Sequence, residues 1–111
     1  MKKFKCTVTR VDEYEIEFDE EVINDEFIKE YAEYFADYET LEEHAENLAQ
    51  YQARFGSAFM EGYGVVKKNG KIPYPYNTKE YEGKISKEEL GINIKIISED
   101  NDCDVEVEEI F

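Results

Sequence analysis

Residues 13–19 read Glu-Tyr-Glu-Ile-Glu-Phe-Asp, a strict alternation of acidic and apolar side chains. Successive side chains on a β-strand point to opposite faces, so this period of two describes a strand with one apolar face and one carboxylate face. Tyr14, Ile16 and Phe18 then need a core, while Glu13, Glu15, Glu17 and Asp19 need water or cations. Residues 3–10 alternate in the same way, with Phe4, Cys6 and Val8 against Lys3, Lys5, Thr7 and Thr9. A short turn near Val11–Asp12 would join the two runs as a hairpin, although it lacks the glycine that favours tight turns.

The next segments switch to helical spacing. Asn24 or Asp25 is positioned to cap a helix running to about Asp37, with Phe27, Ile28, Tyr31, Phe35 and Tyr38 as its apolar stripe. Thr40-Leu41-Glu42-Glu43 has the form of a capping box, opening a second helix that buries Leu41, Ala45, Leu48, Tyr51 or Gln52, and Phe55. Gly56 weakens that helix, and Gly62 or Gly64 is expected to end it.

Beyond the helices, Tyr63 to Lys68 reads as a strand, and Asn69-Gly70 signals a type I′ turn. Pro73 and Pro75 interrupt the return, leaving residues 73–85 as a Tyr-rich surface loop. Ser86-Lys87-Glu88-Glu89 resembles a second capping box closed by Gly91. Ile92, Ile94 and Ile96 begin a strand, Asp100-Asn101-Asp102 makes a polar turn, and Cys103, Val105 and Val107 form the last strand.

The expected fold is α+β, in the order β-β-α-α-β-β-β-β. It has an antiparallel sheet of about four to six strands and two main helices packed on one face. At 111 residues the chain suits one acidic domain, 1–111. No apolar run follows Met1-Lys2-Lys3-Phe4-Lys5-Cys6, so no signal peptide is expected. No stretch is long enough to span a bilayer, and the expectation is a soluble, cytoplasmic protein. Cys6 and Cys103 lie in separate predicted strands, and two buried free thiols are expected rather than a disulfide.

The net charge is −15, and it is unevenly placed. Residues 1–11 carry +4, residues 12–50 carry −15, residues 51–97 carry +3, and residues 98–111 carry −7. Such a chain is repelled by nucleic acids and anionic membranes and attracted to basic protein surfaces.

Catalytic signals are poor. His44 is the sole histidine, lies within the second helix, and reads as a packed or surface side chain rather than a catalytic one. No phosphate-binding glycine pattern and no nucleophile elbow is found. With no Cys/His cluster, no zinc or other cofactor is expected. Asp100–Asp104 looks superficially like a calcium loop, but Val105 stands where the sixth position needs Gly, and Phe111 where the twelfth needs Glu.

The acid rows are the most informative feature. Glu13, Glu15, Glu17 and Asp19 form one row, and Asp104, Glu106 and Glu108 a second. Same-face residues of a strand repeat at about 6.6 Å, close to the spacing of phosphates along a nucleic-acid strand. Glu30 and Glu33 add helical acids. Lys3, Lys5 and Lys95 are too few to neutralise both strand rows. Tyr74, Tyr76 and Tyr81 lie in the Pro-containing loop, and tyrosine is favoured at protein interfaces.

In these rows, and in its compact α+β layout, the chain resembles the small acidic inhibitors of phages and mobile elements, the anti-CRISPR and anti-restriction proteins that mimic DNA. The resemblance implies binding to the basic channel of a host nucleic-acid-binding enzyme, with carboxylates in place of phosphates and Tyr74 and Tyr76 adding apolar contact. Two other readings stand beside it: an accessory protein that binds through the Tyr-rich loop, and an enzyme built on two carboxylates.

Overall fold

The structure, a computed structural model, describes residues 1–86, 88–100 and 104–110. The alternating segments form strands and the helically spaced ones form helices. Their order is β1 (Lys3–Thr9), β2 (Glu13–Phe18), α1 (Asp25–Tyr34), α2 (Leu41–Phe55), β3 (Phe59–Met60), β4 (Gly64–Val65), β5 (Lys67–Lys68), β6 (Ile92–Ser98) and β7 (Asp104–Ile110). Short 3-10 turns cover Lys79–Tyr81 and Glu88–Leu90.

Each helix starts where its capping signal stands. The Asn24 side chain accepts from the Phe27 backbone N–H at 3.0 Å. Thr40 Oγ1 accepts from the Glu43 N–H at 3.2 Å, and the Glu43 carboxylate accepts from the Thr40 hydroxyl rather than from its backbone. The helix ends differ from expectation. Helix α1 stops at Tyr34, and α2 stops at Gly56, whose left-handed backbone (φ 60°) lets its N–H reach Gln52 O at 2.9 Å. A glycine in that conformation terminates a helix rather than merely weakening it. Phe35 and Phe55, expected on the apolar stripes, sit at these ends and are exposed.

The body is built on a three-stranded sheet of order β2-β6-β5, with β2–β6 antiparallel and β5–β6 parallel. The register sets Tyr14 opposite Ile96, Ile16 opposite Ile94 and Phe18 opposite Ile92. That face joins Tyr31, Leu48, Met60, Tyr63 and Val66 in one core, so both helices lie on the apolar side of the sheet. The opposite face carries Glu13, Glu15 and Glu17, all exposed.

The Asn69-Gly70 turn forms as expected, with both residues at positive φ (51° and 77°) and paired hydrogen bonds between Lys68 and Lys71. Its return strand is a single bridge, because Pro73 follows almost at once. The run Tyr63–Lys68 is split between β4 and β5. Strands β3 and β4 form their own two-stranded sheet. The single sheet of four to six strands is therefore corrected to three small sheets among the described residues.

The expected hairpin between the first two strands is also corrected. Strand β1 pairs with β7, from Lys3 opposite Ile110 to Thr9 opposite Asp104, and β2 pairs with β6. The same two stretches of chain thus pair twice, with residues 10–12 between the two pairings on the N-terminal side. Without glycine at Val11-Asp12 the chain runs on instead of folding back. Ile97 is the extra residue where the β2–β6 register slips, between Ile96 opposite Tyr14 and Ser98 opposite Glu13.

A polar joint holds the two ladders together. The Arg10 guanidinium donates to Asp12 at 2.9–3.0 Å and approaches Glu99 at 3.8 Å. Tyr14 donates to Glu99 at 2.8 Å, and the Asp100 N–H donates to Asp12 at 3.0 Å. Beyond the joint, β1 and β7 form an arm in which every residue is exposed. The molecule measures 57 × 35 × 25 Å with a radius of gyration of 17.9 Å. A compact chain of about 100 residues has about 13 Å, so the layout is elongated, not compact.

Cys6, expected to be buried, is an exposed free thiol on the arm. The expectations placed on Lys87, Asn101, Asp102 and Cys103 lie outside the described residues. No helix among the described residues is long and apolar enough to cross a membrane.

The body and the arm should respond differently to substitution. Leu48→Ala removes a fully buried side chain and is expected to cost about 2–5 kcal/mol in urea unfolding, whereas Val107→Ser on the arm should cost less than about 0.5 kcal/mol. Comparable losses at both sites would contradict an arm standing free of the core.

Candidate partner-binding surface

Glu13, Glu15 and Glu17 form a row because β2 is held flat against the core by its other face. Their neighbours on β6 are Ser98, Lys95 and Asn93. Lys95 Nζ lies 3.8 Å from Glu15, and the Asn93 amide donates to Glu17 at 3.1 Å. Among the described residues Glu15 is the one member of the row in an ion pair, and both charges of that pair are more than half exposed. Such a contact is weak in water and leaves most of the row's field intact. Asp19 continues the row in sequence, but it lies past the strand end. Its carboxylate accepts from the Glu21 N–H at 3.0 Å, and its own N–H donates to Gly91 O at 2.8 Å.

The second row, Asp104, Glu106 and Glu108, projects from β7 on the arm, opposite Thr9, Thr7 and Lys5. It therefore belongs to a different sheet from the first. Glu30 and Glu33 are exposed on α1, which covers the apolar side of the body sheet. The helical acids consequently face away from the Glu13–Glu17 row. The structure brings Glu13, Glu15 and Glu17 together and separates them from the other two groups.

In the Tyr-rich loop, Tyr74 is 77% exposed. Tyr76 is half-buried and packs on Tyr81 with ring centres 4.8 Å apart. These two rings help line an open cleft of about 330 Å³ with Ile72, Lys79 and Leu90. Tyr74 and Tyr76 thus differ, the first projecting into solvent and the second packing within the loop.

Three shallow depressions carry paired carboxylates, one of them, of about 230 Å³, lined by Glu20 and Asp25 beside Ile23 and Leu41. Glu43 and Glu46 flank one of about 280 Å³ beside Tyr38 and Asn47, and Glu17 and Asp19 flank one of about 230 Å³ beside Lys67. Glu43 is engaged by Thr40, and Glu17 by Asn93. Among the described residues no group of three or more His, Cys, Asp or Glu side chains is placed to hold a metal ion.

His44 is fully buried in a box of rings from Phe27, Tyr31, Tyr38 and Tyr63, with centroids 4.8–6.2 Å away. Its Nδ1 and the Tyr63 hydroxyl share a hydrogen bond of 2.7 Å, and Asn47 donates to Tyr63 at 3.0 Å. Burial pushes the His44 pKa below its ordinary 6.5, with the Tyr38 backbone and Glu43 opposing in part. Burial likewise pushes the Tyr63 hydroxyl upward.

Sequence reading gave no notice of the polar partners of two further groups, Lys68 and Tyr14. Lys68 is half-buried against the amide of buried Gln52, and burial brings its pKa down to about 8 against the opposing charge of Glu99. Burial and the bond to Glu99 push Tyr14 up to about 12. The Arg10-x-Asp12 spacing was the one local sign of the joint; its partners at 99 and 100 come from the far end of the chain.

No family model, curated protein or solved structure matches the chain.

The buried imidazole makes a pH prediction. Below about pH 6.5 the unfolded chain takes up a proton that folded His44 resists, so stability is fully present above that pH and declines as the pH falls through it. Urea unfolding should show this decline setting in as the pH falls below about 6.5, and His44→Gln should flatten it. An NMR titration in which folded His44 protonates at its ordinary value would contradict the assignment.

Proposed function

We propose that the chain is an acidic protein-binding inhibitor whose carboxylates take the place of nucleic-acid phosphates on a basic surface of a nucleic-acid-binding enzyme. The observation that carries this reading is the exposed row Glu13, Glu15 and Glu17, spaced by the strand and only weakly countered by Lys95. Water already solvates these groups, so a cluster of Lys and Arg can take them over one by one with charge-assisted hydrogen bonds. The row sits on a strand already paired along its length with β6, which lowers the backbone ordering cost of docking. The net charge of −15 adds long-range attraction to a cationic partner. Asp104, Glu106 and Glu108, and separately Glu30 and Glu33, extend this field rather than the contact itself.

A second reading is favoured by one observation, the exposure of Tyr74. It makes the chain an accessory protein that binds through the residue 73–85 loop.

The two readings separate in a salt-gradient pull-down from host lysate, followed by kinetics on the captured protein. Glu13→Gln/Glu15→Gln/Glu17→Gln should slow association at low salt by about tenfold or more, and wild-type binding should weaken steeply as salt rises. Tyr74→Ala should change the rate little. Binding that ignores salt and the triple substitution, yet is lost in Tyr74→Ala, overturns the inhibitor reading in favour of the loop.

A further inference from the structure

We infer that the aromatic flank of α1, with the Glu30 carboxylate beside it, is a binding site for the guanidinium of an arginine side chain on a protein partner. The inference uses no residue of the Glu13–Glu17 row and does not rest on the proposed inhibition.

Spacing builds the site. Phe27, Tyr31 and Phe35 stand four residues apart, and Glu30 and Tyr34 keep the same interval one position earlier, so all five share one flank at α1 and its C-terminal end. The rings of Phe27, Tyr31 and Phe35 run in line, with centres 6.2 and 5.0 Å apart and planes only 32° and 33° from parallel. Gly62, in the turn between β3 and β4, lies directly against this row; a Cβ there would collide with the Tyr31 ring and press on that of Phe35. These six residues line a depression of about 130 Å³, room for the head of one side chain.

The back of the depression is fixed and its mouth is open. Tyr31 is buried, its hydroxyl accepts from the Asn47 amide at 3.3 Å, and the His44 ring stands nearly perpendicular to its own at 4.8 Å. Packing on the core accounts for Phe27 and Tyr31, which join it. It does not account for Tyr34 and Phe35, which are 76% and 49% exposed. Neither the Glu30 carboxylate nor the Tyr34 hydroxyl has a hydrogen-bond or ion-pair partner among the described residues.

Charge and chemistry select the ligand. Aromatic faces attract a cation, and the one charged group lining the depression is a carboxylate. Helix α1 carries Asp25, Glu26, Glu30 and Glu33 against Lys29, so the surrounding field favours a cation too. Among organic cations the guanidinium suits both halves of the site. It is planar and weakly hydrated, so it lies along rings at modest desolvation cost, and its N–H groups donate to a carboxylate in pairs. A lysine ammonium holds its water more strongly, and a quaternary ammonium has no N–H to give Glu30.

An NMR titration of the full chain with acetyl-Gly-Arg-Gly-amide tests this, with acetyl-Gly-Lys-Gly-amide and tetramethylammonium as controls of equal charge. The arginine peptide should shift signals of Tyr34, Phe35 and Gly62 saturably and bind about fivefold tighter than either control. Glu30→Gln should weaken it about tenfold. Glu33→Gln removes the same charge from the same helix outside the depression and should weaken it less than about twofold. Tyr34→Leu keeps the apolar bulk without the ring and should weaken it about threefold. All three positions are exposed, so the amide spectra should otherwise match the parent. No saturable shift at these residues, either control binding as tightly as arginine, equal losses from Glu30→Gln and Glu33→Gln, or undiminished binding in Tyr34→Leu overturns the inference. The probe involves no enzyme, so this site and the proposed inhibition fail separately.

Discussion

The antiparallel pairing of β2 with β6 is the constraint on which the rest of the molecule depends. It puts Tyr14, Ile16 and Phe18 beside Ile96, Ile94 and Ile92, and so creates the floor on which both helices close. By the same register it turns Glu13, Glu15 and Glu17 outward. The magnitudes show why the arrangement holds. Two carboxylates about 6.6 Å apart in water repel by about 0.6 kcal/mol, while full burial of one isoleucine contributes about 1.5–3 kcal/mol. Ile92 and Ile94 alone, each essentially inaccessible, outweigh the repulsion along the row. The fold can therefore display this carboxylate row at small cost, with Lys95 the one lysine paired to it among the described residues.

Features set by neighbouring residues were legible in the sequence. The period of two placed β1, β2, β6 and β7, and Asn24 and Thr40 placed the helix starts. The Asn69-Gly70 turn was legible for the same reason, since its backbone conformation is a property of those two residues. What escaped was set by distant pairing. Alternation in residues 3–10 shows that the two faces differ, but not that anything covers the apolar one; this is why Cys6 was expected inside and is exposed. The hairpin and the Arg10–Glu99–Tyr14 joint both hinge on the partner strand, which lies some ninety residues away in the chain. For the site, the strand row was legible from spacing alone. Its separation from Asp104, Glu106 and Glu108, and from Glu30 and Glu33, was not, because that depends on which sheet and which side each element joins.

The continuation of the ribbon beyond the joint divides the protein into two chemically distinct parts. The body carries most of the net charge and a carboxylate face on β2. The arm sets Lys3 and Lys5 against Asp104, Glu106, Glu108 and Glu109, and exposes Phe4, Val8, Val105 and Val107. Both depend on the same long antiparallel pairing. If β1 folded back on β2, the β1–β7 ladder would be broken and the Glu13–Glu17 row would have another strand beside it.

The most direct measurement is therefore of strand partnership in solution, by side-chain NOEs on the full-length protein. The structure predicts contacts of Ile16 with Ile94 and of Val8 with Val105, and none between residues 6–9 and residues 14–17. Strong contacts between those two segments, with Ile16–Ile94 and Val8–Val105 missing, would show a closed N-terminal hairpin and contradict both the acidic face and the arm.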